Sequence, residues 1–254
     1  ERVVTQGRRV VGVTGHVVAP FTGVESHRVH VRPRTVVLAA GKGTRMKSRV
    51  PKVLPRLGGR PLIGHVLTTA AALDARRIIV ITGHGAEALE AEVRAWARAA
   101  GRPAPDFVRQ EPQLGTGHAV QQAVPVLPDD GIALVLNGDV PLIRPGTLAA
   151  LVARCGGERL ALLTVDMPDP TGYGRIVRTG DQVNAIVEHK DASEAQRAIR
   201  EVYTGFMAAP AARLKQWLGR LTNHNAQGEY YLTDVVALAR ADGCEVVTAA
   251  AVET

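Results

Sequence analysis

Gly41 and Gly43 flank Lys42, and Arg45 and Lys52 follow close behind, in the stretch Leu38-Ala39-Ala40-Gly41-Lys42-Gly43-Thr44-Arg45-Met46 and its continuation Pro51-Lys52-Val53-Leu54. Glycines lack Cβ, so the backbone can bend where other residues resist, and its N–H groups can lie against the oxygens of a ligand. Lysine and arginine around such a loop suit a polyanion, most simply a nucleoside triphosphate. No Gly-Lys-Ser/Thr closes the loop, and it lacks the third glycine of a dinucleotide fingerprint. A plain strand-to-helix turn with solvated basic residues has the same letters, so the loop alone leaves both readings open.

Other stretches carry the complementary chemistry. Asn137-Gly138-Asp139-Val140-Pro141-Leu142 offers a carboxylate just after an apolar run, where it can hold a divalent cation that in turn holds phosphates. An aspartate that caps the next helix is the ordinary alternative. In Gln110-Glu111-Pro112-Gln113-Leu114-Gly115-Thr116-Gly117-His118, the glutamines supply the donor and acceptor needed to read the edge of a pyrimidine, and Gly115 lets backbone approach a flat base. Thr116 is equally a fair helix N-cap. Further on, Gly174 can bring backbone to a ligand and Glu188 can accept from sugar hydroxyls, although Glu188 and Lys190 also read as a surface ion pair of little energetic weight.

These residues need a scaffold, and the pattern supplies one. Arg34 to Ala40 is a short β-branched run feeding the glycine loop. Helical spacing follows from Pro61 through Leu73, then a strand from Arg77 ending at Gly83, a helix from Ala86 to Ala100, and a short strand at Asp106-Phe107-Val108. Residues 117–126 read as helix and Ile132 to Leu136 as a buried strand, followed from Leu160 by three strand-like runs and an amphipathic helix from Arg213 to Leu221. Alternation of this kind predicts a three-layer α/β/α, Rossmann-like fold with a mostly parallel mixed sheet. In open sheets of that class ligands bind beyond the carboxyl ends of the strands, where the glycine loop falls. Residues 1–34 have β-type composition broken by glycine and proline and are read as an N-terminal extension; the domain proper runs over residues 35–254.

Composition narrows the classes. The chain has 254 residues, 46% hydrophobic and 22% charged, which is enough to bury a substantial core. No apolar stretch approaches the roughly 18 residues of a membrane span, and the polar N-terminus lacks the form of a signal peptide, so a cytoplasmic protein with no membrane partner is expected. The net charge of +7 lies largely in residues 1–34, which carry six arginines and two glutamates. With only 4% aromatic residues, this distribution argues against a nucleic-acid partner. Cys155 and Cys244 lack metal-ligand spacing and are expected to be ordinary thiols.

In order along the chain, the glycine loop, Gln113 to Ala119, Gly138 to Leu142, Asp169 to Ile176, Ile186 to Ala192 and Asn225-Ala226-Gln227-Gly228-Glu229-Tyr230-Tyr231-Leu232-Thr233-Asp234 together resemble the N-terminal uridyltransferase domain of bacterial bifunctional UDP-N-acetylglucosamine pyrophosphorylase/glucosamine-1-phosphate acetyltransferases. The first motif is shared by sugar nucleotidyltransferases generally; the last three together are more specific. The resemblance implies uridylyl transfer from UTP to N-acetylglucosamine 1-phosphate with Mg²⁺ and release of pyrophosphate. It further implies that Arg45 and Lys52 stabilise phosphates and that Asp139 binds Mg²⁺. Ala39, Ala40, Gly41, Gly43, Gln110, Gln113 and Gly115 would hold the nucleotide, and Thr116, Gly174 and Glu188 the sugar.

Some features depart from that family. Tyr203 stands where an asparagine precedes Thr/Ser-Gly, and its ring is expected to crowd an N-acetyl group or change the sugar accepted. Asn137 replaces an aromatic residue of some members, a milder change. The family's second Mg²⁺ ligand is an asparagine in a Val-Asn-Asn segment after Thr254, so weakened metal binding is expected, as are absence of acetyl-CoA activity and of trimerisation unless a C-terminal β-helix half lies outside this chain. A transferase for UDP-glucose or dTDP-glucose, and a nucleotide-sugar sensor without turnover, remain the competing readings.

Overall fold

The computed structural model describes residues 32–41 and 51–251. A nine-stranded mixed sheet forms the middle layer. Its strands are β1 (Arg34–Leu38), β4 (Arg77–Thr82), β5 (Asp106–Arg109), β6 (Ile132–Asn137), β7 (Leu160–Asp166), β8 (Arg175–Thr179), β9 (Gln182–Val187), β10 (Glu201–Pro210) and β11 (Val246–Ala250). The order is β11-β7-β10-β6-β1-β4-β5, with the β8–β9 hairpin branching from β10. The pairs of β1 with β4 and β6, of β4 with β5 and of β7 with β11 are parallel, whereas β10 runs antiparallel to both β6 and β7. A separate two-stranded hairpin joins β2 (Arg56–Leu57) to β3 (Arg60–Pro61).

The apolar runs bury both faces of this sheet, and alternate residues sort between two cores. Val36, Ile79, Ile81, Ala133 and Val135 face α3 (Thr116–Gln121), α6 (Ala211–Leu218) and α7 (Val235–Ala241); Val37, Val80, Leu134 and Leu136 face α1 (Leu62–Ala72), α2 (Ala86–Ala99) and α4 (Pro145–Cys155). The fold is thus the three-layer arrangement expected, and α5 (Glu194–Arg197) is a single capped turn outside it. No helix among the described residues is long and apolar enough to cross a membrane.

Trp217 on α6 is fully buried in the first core, and its indole Nε1 donates to Asp242 Oδ2 at 2.9 Å. Trp217→Ala is expected to lower unfolding free energy by about 3–5 kcal/mol, the usual result of emptying an indole-sized volume. Urea denaturation would measure it.

Candidate active site

The parallel strands β1, β4, β5 and β6 lie side by side, and residues at or just after the carboxyl ends of β1, β5 and β6 line one cleft. One wall is Leu38, Ala40 and Gly41 after β1; the facing wall is Gln110, Gln113 and Gly115 after β5. Lys52 and Glu229 complete this space of about 320 Å³. A second space of about 210 Å³ adjoins it, between Gly174, Glu188 and the Tyr203-Thr204-Gly205 segment of β10, with Tyr173 and Thr233 at its edge. Leu38, Thr116 and Asn137 line both, so the two clefts meet along a common wall. A larger cavity of about 440 Å³ between the β2–β3 hairpin, α1 and α2 is lined by none of the residues singled out from the sequence.

Close approach of backbone explains several glycines here. Gly115 has φ +108° and ψ 174°, a region almost reserved for glycine, and a Cβ on it would lie 2.6 Å from Tyr230 O. At Gly205, φ is +89° and the Asn137 amide occupies the place of a Cβ. A Cβ on Gly41 would touch Lys52 Cε at 3.0 Å. The Lys52 chain therefore crosses Gly41, and its ammonium meets Asp139 Oδ2 at 2.9 Å. Both side chains remain about one-third exposed, at 34% and 30%.

Most of the residues implied by resemblance converge, though not always in the expected role. Ala39 lies at the end of β1 with its side chain buried in the α1/α2/α4 core, and its N–H donates to Ile81 O at 3.0 Å. Gln110 is almost fully buried; its Nε2 donates to Gly115 O at 2.9 Å and lies 3.2 Å from His118 Nδ1, so the amide braces the loop. Thr116 does not cap α3. Its Oγ1 accepts from Leu232 N at 3.0 Å, a partner 116 residues away. Asp139 does not cap α4, which begins at Pro145. Nor do Glu188 and Lys190 pair with each other: Glu188 Oε1 accepts from Thr233 Oγ1 at 2.9 Å, and Lys190 Nζ donates to Gln227 Oε1 at 2.6 Å. Gly43 and Arg45 lie outside the described residues, as do most of the N-terminal extension and residues 252–254.

Residues 35–203 match the family described as MobA-like NTP transferase domain. The chain belongs to this family. Within it, the transferase domain is 65% identical over 219 residues to Bifunctional protein GlmU of Polaromonas naphthalenivorans (strain CJ2), covering 84% of this chain and 46% of that protein. It is 67% identical over 213 residues to Bifunctional protein GlmU of Paracidovorax citrulli (strain AAC00-1), covering 84% and 44%. The chain thus spans about half the length of the curated relatives it matches. A solved UDP-glucose pyrophosphorylase complexed with UDP-glucose superposes with a TM-score of 0.71 at 16% identity over 86% of this chain and 90% of the other, a likeness of fold.

The walls of the transferase domain include residues to which the motifs assign no role: Asn137, Tyr173, Thr204, Glu229 and Thr233. Glu229 and Thr233 sit in the Asn225-to-Asp234 motif and Tyr173 in the Gly172-to-Ile176 run, so those motifs carry the signal without saying what each residue does. Thr204 carries a weaker one, a β-branched residue beside a glycine.

The donor set of the transferase domain bears on metal. Among the described residues no group of three or more His, Cys, Asp or Glu side chains is gathered to hold an ion. Mg²⁺ keeps several waters and is commonly held by one or two carboxylates together with substrate phosphates, and Asp139, which lines neither cleft but pairs with the cleft residue Lys52, supplies one such carboxylate beside the first cleft. Asp139 fits that pattern.

Behind the second cleft of the transferase domain, acids accumulate. Burial pushes Asp234 from its ordinary 3.8 up to about 6, reinforced by the negative charges of Glu188 and Asp191. Burial likewise raises Glu188, against the bond from Thr233 and with Asp191 and Glu229 adding repulsion. A carboxyl whose folded pKa is raised holds its proton more tightly in the native state, so folding is favoured below the unfolded pKa and loses that advantage as pH rises through the folded one. Between pH 3.8 and about 6 this group's contribution to stability declines. Asp234→Asn is expected to flatten the decline and leave the protein more stable than wild type above pH 7. Melting temperatures from pH 4 to 8 for both proteins measure this.

Proposed function

We propose that the chain transfers a uridylyl group from UTP to N-acetylglucosamine 1-phosphate and releases pyrophosphate. The observation that carries the reading is the pair of clefts joined at Leu38, Thr116 and Asn137, which suits two substrates meeting end to end. Support comes from the high identity to the GlmU proteins over 84% of this chain. The reading takes residues 35–254 as the catalytic domain.

In the first cleft Ala40 and Gly41 with Gln110, Gln113 and Gly115 take the nucleotide, and the resemblance assigns Ala39 and Gly43 to the same ligand. Backbone groups and the Gln113 amide contact it, while Gln110 fixes the loop. Arg45 and Lys52 neutralise the phosphates. Asp139 would hold Mg²⁺, whose contribution when bound is further neutralisation of phosphate charge. Thr116, Gly174 and Glu188 hold the sugar in the second cleft, and the sugar phosphate oxygen attacks the α-phosphorus in line with the departing pyrophosphate. No covalent intermediate is needed, so the protein's work is alignment and charge stabilisation. To reach phosphate, Lys52 must leave Asp139, and its one-third exposure leaves room for that swing.

Tyr203 supports a second reading, in which a different sugar 1-phosphate is preferred. Its ring lines the second cleft, and its hydroxyl is buried without a hydrogen-bond partner. Pyrophosphate release from UTP or dTTP with Mg²⁺ and a panel of sugar 1-phosphates separates the readings. Turnover highest with UTP and N-acetylglucosamine 1-phosphate supports the proposal, and a preference for glucose 1-phosphate supports the second reading. Binding of UTP without turnover favours a sensor and overturns both.

A further inference from the structure

One segment reaches both clefts. In residues 225–233, Glu229 lines the first while Leu232 and Thr233 line the second. On one side this segment is tied to the nucleotide loop: Tyr230 N donates to Leu114 O at 2.8 Å, Gly117 N to Tyr230 O at 2.7 Å, and Leu232 N to Thr116 Oγ1 at 3.0 Å. Within it, Asn225 Oδ1 accepts from Gln227 N and Glu229 N, each at 3.2 Å, and Asn225 Nδ2 donates to Glu229 O at 2.6 Å.

Its other side is held by the turn after β9. Asp191 Oδ1 accepts from Ala226 N at 2.8 Å, and Asp191 Oδ2 accepts from the Tyr231 hydroxyl at 3.1 Å. The same hydroxyl accepts from Gln227 Nε2 at 2.9 Å. Asp191 is itself reached from Glu188, whose carbonyl accepts from Asp191 N at 3.0 Å. Asp191 lines neither cleft.

We propose that Asp191 is a positioning residue of the transfer reaction: by fastening Ala226 and Tyr231 to the strand end that carries Glu188, it sets Glu229 and Thr233 at the walls of both clefts at once. The inference rests on the two-substrate reading above. A carboxylate suits the task because it only accepts and has capacity for both bonds, and such charge-assisted bonds are stronger than neutral ones. Burial raises the Tyr231 phenol to about 12, so it stays protonated and donates. With Lys190 Nζ on Gln227 Oε1 at 2.6 Å, two consecutive residues of this turn hold the segment.

The test is steady-state kinetics of pyrophosphate release by the whole chain with UTP and N-acetylglucosamine 1-phosphate. Asp191→Ala is expected to cost about 10- to 100-fold in kcat/KM, the scale of small misplacements of a catalytic wall, with KM raised for nucleotide and sugar phosphate together. Asp191→Asn keeps an acceptor for Ala226 N but faces the phenol with an N–H in place of an acceptor, so its loss should fall between wild type and Asp191→Ala. Tyr231→Phe should cost less when added to Asp191→Ala than in the wild-type background, because the phenol's bond to Asp191 is then already gone and only the one from Gln227 Nε2 remains to be lost. A merely structural aspartate would lower the melting temperature in both variants and leave both KM values in place, which would overturn the proposal. Rise of one KM alone would also overturn it. Active wild-type protein matched by Asp191→Ala defeats this inference only; inactive wild-type protein defeats the proposed reaction and this inference with it.

Discussion

Lys52→Ala is expected to lower kcat/KM for pyrophosphate release by about 10²–10³-fold, the range observed when one preorganised charge-stabilising group is removed, while leaving the fold intact. Two magnitudes decide this. As a partner of Asp139 in the substrate-free protein, Lys52 belongs to an ion pair whose members are 34% and 30% exposed. Such pairs contribute about 0–1 kcal/mol to stability. As a cation facing the charge that builds on transferring phosphate, the same ammonium is worth about 3–4 kcal/mol. Activity should therefore collapse while the melting temperature barely moves. Asp139→Asn should behave alike in the rate assay, with recovery at raised Mg²⁺ because its remaining oxygen is a weaker cation ligand. Near-normal pyrophosphate release by Lys52→Ala would remove Lys52 from the mechanism.

That expectation begins with letters legible in the sequence, and the reason is physical. Val36 and Val37 alternate between two cores, so Arg34–Leu38 had to be a strand buried on both faces, and a buried strand delivers the next residues to its carboxyl end. The glycine loop and Asn137-Gly138-Asp139 are each fixed by that local rule. Long-range partners do not obey it. Thr116 reads as an N-cap because a threonine before a helix usually is one, yet its hydroxyl serves Leu232. Glu188 and Lys190 read as a pair because they are neighbours of opposite charge, yet Thr233 and Gln227 take them.

The strand β10 is the larger omission. Val202-Tyr203-Thr204 and Phe206-Met207 carry β-branched and aromatic residues, a sufficient signal for a strand, but its antiparallel insertion between β6 and β7 is a property of the whole sheet. That reversal sends its amino-terminal half to the same edge as the carboxyl ends of β6 and β7. It sets Tyr203, Thr204 and Gly205 opposite Glu188, and so creates the second cleft. The bulge between Tyr203 and Met207, with Gly205 at φ +89°, makes room for the Asn137 side chain at the common wall.

Gly115→Ala is the substitution that should damage both clefts together. At φ +108° and ψ 174° an alanine is strained by about 1–3 kcal/mol before any contact is counted. Its Cβ would then lie 2.6 Å from Tyr230 O, 2.9 Å from Tyr230 N and 2.9 Å from Glu229 Cβ. Two of these atoms are backbone and cannot rotate away, so the loop and the 225–233 segment must separate. Separation breaks the bonds from Tyr230 N to Leu114 O and from Gly117 N to Tyr230 O, and it loosens Gln110 Nε2 from Gly115 O. The nucleotide wall and Glu229 shift as one. We expect kcat/KM to fall by at least about 10²-fold, since a displacement of about 1 Å at a substrate wall has that effect. Thermal unfolding should show a folded protein with a lowered midpoint, because the sheet beneath the loop is untouched. Gly157→Ala makes the control: it too has a positive φ, +87°, but a Cβ there meets nothing within 4 Å and the residue lines neither cleft. It should show the backbone strain with far less loss of turnover. Equal activity loss in the two variants would mean that strain alone, and not the contact with Tyr230, governs Gly115.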